Sequence, residues 1–204
     1  MDVAIIDYGM GNLLSVQRAF EKCGYEAIIT QRPDDLYLAD RIVLPGVGAF
    51  SDAMANLNTY GWIKPLKDSV INDQVPLLGI CLGMQLLADI SFEGGETHGL
   101  GLIPGQVVKL SPSLEAERVP HVGWNDIIVR NHHPVFKGIE DNSNYYFVHS
   151  YHFVPKSEKD IGSTTPYCGE FVSAVVHDNI IGTQFHPEKS QKKGFQLLKN
   201  FMEM

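Results

Sequence analysis

Apolar residues fall into short runs along this chain, and their spacing changes from the first half to the second. Val3-Ala4-Ile5-Ile6 is apolar throughout and runs into Asp7-Tyr8-Gly9-Met10-Gly11-Asn12, the pattern of a buried strand leaving through a glycine-rich turn. Over 13–23, Leu13, Val16 and Phe20 recur at helical spacing, and Gly24 stands where a helix-ending glycine belongs. Strands are predicted at 27–29, 42–44 and 75–80, the last apolar on both faces, with helices at 50–57, 63–71 and 82–89. This alternation predicts an α/β fold around an open, mostly parallel sheet with flanking helices. Past Leu102 the runs become short and β-like, at 107–110, 125–129, 145–148, 171–176 and 180–185, and predict added antiparallel strands. Ser190 is placed to cap a final helix reaching Phe201, with Phe195, Leu198 and Met202 on one face. No linker, repeat or low-complexity tract interrupts residues 1–204, so one domain is expected.

Charge and cysteine content narrow the function classes. There are 24 acidic and 16 basic residues, a net charge of −8, which argues against a nucleic-acid partner because phosphate neutralisation needs a basic face. No apolar run approaches the roughly 18 residues of a membrane span, and Met1 leads straight into a strand rather than a signal peptide. The three cysteines, Cys23, Cys81 and Cys168, form no CxxC pair. Free thiols in a reducing compartment, and so a cytoplasmic location, are expected.

One of those thiols sits in a chemical context. In Gly79-Ile80-Cys81-Leu82-Gly83-Met84-Gln85 an apolar strand meets a helix through small residues, with the cysteine at the corner. That is the G-x-nucleophile-x-G elbow. The helix N-terminus beneath the sulfur favours a thiolate, and the Leu82 N–H is aimed at a developing oxyanion. A base is offered by Gln184-Phe185-His186-Pro187-Glu188, which follows another apolar run. If the chain stays extended there, His186 and Glu188 share one face, and the carboxylate orients the imidazole. Pro45-Gly46-Val47-Gly48 ends a third strand, and its backbone N–H groups are candidates for a second oxyanion donor. The glycines at 9 and 11 lack the spacing of a nucleotide loop, and His132-His133 have no carboxylate or cysteine at ligand spacing. No cofactor and no metal are expected.

With Gly99-Leu100-Gly101-Leu102-Ile103-Pro104-Gly105, Pro120-His121-Val122-Gly123-Trp124-Asn125 and Tyr146-Phe147-Val148-His149-Ser150-Tyr151, these segments resemble the class I, triad-type glutamine amidotransferases over essentially the whole chain. Within that class they are most similar to the glutaminase subunits of imidazole glycerol phosphate synthases. The resemblance implies a Cys81–His186–Glu188 triad, an oxyanion site built from the backbone of Val47, Gly48 and Leu82, and glutamine binding by Gln85, Glu93, His149, Ser150 and Tyr151. It also implies a heterodimer in which ammonia passes to a (β/α)8-barrel synthase making imidazole glycerol phosphate and aminoimidazole carboxamide ribotide. His121 and Trp124 read as core filling or as an interface. Such aromatics are frequent binding hot spots, the resemblance places Trp124 against the synthase, and the interface is the reading taken for both. Lys189, Lys192 and Lys193 read as a solvated helix start or as a docking patch for an acidic partner face. The alternatives are a paralogue feeding another amination, such as that of a surface-polysaccharide sugar, and a stand-alone cysteine hydrolase.

Overall fold

Five of the apolar runs lie side by side in parallel, because strands that are apolar on both faces are stable only under helices on both faces. A computed structural model describes residues 1–204. In chain order its elements are β1 (Val3–Ile6), α1 (Leu13–Cys23), β2 (Ala27–Thr30), β3 (Arg41–Gly46), α2 (Phe50–Thr59), α3 (Ile63–Lys67), β4 (Leu77–Cys81) and α4 (Leu82–Gln85). Next come β5 (Ile90–Ser91), β6 (Thr97–His98), β7 (Gly105–Lys109), β8 (His121–Val129), β9 (Ser143–His149) and β10 (Tyr151–Pro155). The last are β11 (Ile161–Thr165), β12 (Phe171–His177), β13 (Ile180–Thr183) and α5 (Gln191–Met202). The main sheet runs β2-β1-β3-β4-β13-β12-β11-β8-β9. Its first five strands are parallel and the remainder antiparallel, as the change of pattern predicts. A smaller sheet, β10-β7-β5-β6, covers part of one side.

Side-chain alternation splits the core between the two faces. Ala4 and Ile6 join Phe50, Leu57, Trp62 and Phe153 on the α2 side, while Val3 and Ile5 join Phe20, Leu198 and Phe201 on the side of α1 and α5. No helix is long and apolar enough to cross a membrane.

Two predicted helices are cut short. The one expected over 82–89 ends at Gln85, because the carbonyls of Leu86, Leu87 and Ala88 are taken by the N–H groups of Leu100, Leu102, Ile103 and Gly101. The one expected over 63–71 leaves α-geometry after Lys67, widening into a π-type turn over Asp68–Asn72. Strands β10 and β11 were not anticipated. In β11 the buried positions are Gly162, Ser163, Thr164 and Thr165, and Ser163 shares its hydroxyl with Ser173 of β12 at 2.8 Å.

Candidate active site

β4, β13 and the loop after β3 end at the same edge of the sheet, where crevices form at the carboxyl ends of parallel strands. Cys81 is the last residue of β4 and turns the chain directly into α4 with φ +56° and ψ −109°. A non-glycine residue holds that conformation only under constraint, and such strain collects at functional sites. The constraint here is packing: a Cβ on Gly83 would lie 1.8 Å from the Leu44 carbonyl oxygen, so only glycine lets α4 seat against β3. The Cys81 sulfur is buried, 3.8 Å from the Val148 carbonyl and 3.7 Å from the Gln184 amide nitrogen.

His186 follows β13. Pro187–Lys189 form a 3-10 turn, so the extended segment expected to align His186 with Glu188 is absent. The pair meets anyway, because the turn folds the carboxylate back: His186 Nδ1 lies 2.8 Å from Glu188 Oε1, with side chains 3% and 1% exposed. The His186 Nε2 is buried and makes no hydrogen bond, and the Cys81 sulfur is near enough to raise its pKa. Burial opposes a charged imidazole here, but the sulfur and then the carboxylate outweigh it and raise the pKa to about 10. The imidazole is therefore held in its charged form at neutral pH.

Ser190 corrects a second expectation. Its hydroxyl caps no helix. It donates to the His186 carbonyl at 2.6 Å and accepts the Tyr146 N–H at 3.1 Å, while the His186 N–H donates to the Tyr146 carbonyl at 2.9 Å. These three bonds clip His186 to β9.

A pocket of about 250 Å³ opens over Cys81. Val47, Gly48, Leu82, Gln85, Glu93, His149, Ser150 and Tyr151 all line it, together with Val148. Val47 and Gly48 make no backbone hydrogen bond within the chain, and Gly48 has φ +109°, so their N–H groups are free to serve the pocket. Glu93 is already partly engaged, accepting the Phe50 N–H at the start of α2 at 2.8 Å. Gln85 spends its amide N–H groups on the Tyr151 carbonyl (2.9 Å) and Gln184 Oε1 (3.0 Å), which leaves its carbonyl oxygen for a ligand. Both ring nitrogens of His149 are occupied, so it meets a ligand only through its backbone. The sequence motif alone gives Gln184 no role, yet its amide lies against the Cys81 sulfur. Its position two residues before His186 is the signal that could have placed it at the sulfur.

His121 does not lie on a surface: it is 3% exposed and bonded to His149, which overturns its assignment to an interface. The register explains this, since residues alternate faces along β8 and Trp124 lies three positions on. Trp124 is 46% exposed and packs edge-on against Tyr146. It borders a surface groove with Ser190, Lys192 and Lys193, while the Lys189 ammonium lies 5.7 Å from the Tyr146 ring centre.

A strand-to-helix elbow carrying a cysteine, with a His–Glu pair at the next strand end, is the arrangement of enzymes that work through a cysteine nucleophile on a parallel sheet. The family model described as "Glutamine amidotransferase class-I" matches residues 4–204, and the chain belongs to that family. It is a glutamine amidotransferase. More narrowly, it is 50% identical over 99% of its length to the imidazole glycerol phosphate synthase subunit HisH of Geobacter sulfurreducens, covering 98% of that protein. It is 48% identical over 99% of its length to the HisH of Moorella thermoacetica, covering 94% of it. Among solved structures, a chain of PurLQS from Thermotoga maritima shares the fold at a TM-score of 0.79 and 19% identity, over 99% of this chain and 97% of that one.

Proposed function

We propose that this chain is the glutaminase subunit of an imidazole glycerol phosphate synthase serving histidine biosynthesis, with Cys81, His186 and Glu188 as its catalytic triad. The observation that carries the mechanism is the Cys81 sulfur under a 250 Å³ pocket, beside an imidazole already paired with Glu188. The Cys81 sulfur attacks the side-chain amide carbon of L-glutamine while His186 holds the thiol proton. The Leu82 N–H and the 46–48 backbone receive the negative charge on oxygen. His186 gives its proton to the departing nitrogen, the C–N bond breaks, and ammonia leaves a thioester on Cys81. Water, deprotonated by His186, then releases glutamate and restores the thiol.

The ammonia goes to a second chain, since the chemistry here ends at hydrolysis. That partner is a (β/α)8-barrel cyclase forming a heterodimer with this chain, its acceptor a phosphoribulosyl-formimino aminoimidazole carboxamide nucleotide. Exposed Trp124 beside Lys189, Lys192 and Lys193, in a groove that Glu140 and Asp141 also line, supplies an aromatic anchor with charges of both signs around it, which fits a partner with a polar, charged rim. The chain acts as one domain, in the cytoplasm. The test is to mix it with candidate barrel synthases and follow glutamine hydrolysis with and without acceptor nucleotide. Stimulation by the cognate pair supports the reading; equal turnover by the isolated chain would favour a stand-alone hydrolase.

A further inference from the structure

The mechanism above leaves a buried polar chain unused. Strands β8 and β9 pair so that His121 faces His149. Asn125 Nδ2 lies 3.2 Å from His121 Nε2, His121 Nδ1 lies 3.0 Å from His149 Nε2, and His149 Nδ1 lies 2.9 Å from the Tyr151 carbonyl. Burial pushes both imidazoles down, to about 4 for His121 and about 3 for His149, so both are neutral at pH 7. A neutral imidazole has one N–H and one lone pair, and the far end of the chain decides which nitrogen holds which. A carbonyl oxygen only accepts, so His149 carries its proton on Nδ1. Its Nε2 then accepts from His121 Nδ1–H, and His121 Nε2 accepts from the Asn125 amide. Every donor therefore points one way, from Asn125 towards the Tyr151 carbonyl. That same carbonyl receives the Gln85 amide at 2.9 Å, and Gln85 and Tyr151 both line the pocket.

We propose that Asn125 and His121 are positioning residues for the glutamine pocket, fixing the tautomer of His149 and, through it, the Tyr151 carbonyl and Gln85. This rests on the glutaminase reading and adds two residues that touch no substrate. Without the His121 donor, His149 is free to move its proton to Nε2. Its Nδ1 lone pair would then face the Tyr151 carbonyl, acceptor against acceptor, and the pocket wall would shift with Gln85 attached. Asn125 and His121 share the inner face of β8, opposite Trp124, so the whole chain of bonds lies between the strand and the pocket.

Two amide substitutions separate this role from packing. In H121N the amide falls near the lost Nδ1 and keeps the donor to His149; in H121Q it reaches the Nε2 position and keeps only the Asn125 contact. Both lose the ring stacked on Tyr167 at 4.0 Å. In the complex with its synthase, H121Q is expected to raise KM for glutamine about tenfold with kcat nearly unchanged, and H121N, the conservative variant, to recover most of that loss. Equal KM values for the two variants would assign any effect to packing and overturn the proposal. Nitrogen NMR of the wild-type chain gives a check that no variant's folding affects: both imidazoles are expected as the Nδ1–H form, and an Nε2–H form at either one overturns the proposal. A wild-type complex inert towards glutamine would be a different result, one that sinks the glutaminase reading itself.

Discussion

Glu188 and His186 are bonded at 2.8 Å almost out of reach of solvent, and that pairing makes a statement about pH. The folded imidazole is raised to about 10, against about 6.5 in an unfolded chain. A raised imidazole stabilises the fold fully below about pH 6.5, and that contribution drains away as pH rises towards 10. Replacing Glu188 by Gln removes one of the two groups responsible. The denaturation midpoint of Glu188→Gln should therefore fall furthest below that of the parent near pH 6, with the gap closing towards pH 10. Urea titrations across that range check it, and a gap that grows with pH would contradict the pairing. At this scale the sequence was legible where chemistry is written in adjacent residues: Cys81 between its glycines, His186 two before Glu188. It was not legible where a side chain's partner lies elsewhere in the chain. His121 and His149 are 28 positions apart, and only the β8–β9 register makes the first an interior residue.

Elements hold these residues by close approach. Helix α5 touches the His186 turn so tightly that a Cβ on Gly194 would lie 1.9 Å from the Pro187 carbonyl oxygen. Gly194→Ala must push that turn or the helix aside. It is expected to cost about 1–3 kcal/mol of stability by overpacking and to lower kcat for glutamine hydrolysis through displacement of His186. Denaturation and steady-state kinetics on the same sample check both, and a stable, fully active variant would show that the turn is not held by α5. Helix α1 was read from the sequence at its true bounds because its apolar spacing and Gly24 agree. The helix after Cys81 was overextended because what ends it, the Gly99–Ile103 backbone, comes later in the chain and carries no periodic signal. Strand β11 escaped notice because its buried positions are small or hydroxyl-bearing residues, with Ser163 satisfied across the sheet.

For the whole molecule, two surface features read separately in the sequence, Trp124 and the lysines that follow the triad, converge on one groove. A pocket over Cys81 with an exposed aromatic anchor of this kind on the same molecule suits a chain that works inside an assembly. Trp124→Ala is expected to weaken association with the synthase at least tenfold, as the loss of a central aromatic anchor does, without changing the fold of the free chain. Titration calorimetry measures it, and an unchanged dissociation constant would move the interface elsewhere.

The central claim is that Cys81 makes the ammonia that a partner uses. In the complex, Cys81→Ala should lose glutamine-dependent synthesis by a factor on the order of 10⁴ or more while ammonia-dependent synthesis proceeds at the parental rate. Loss of both activities would mean that Cys81 supports the assembly rather than the chemistry.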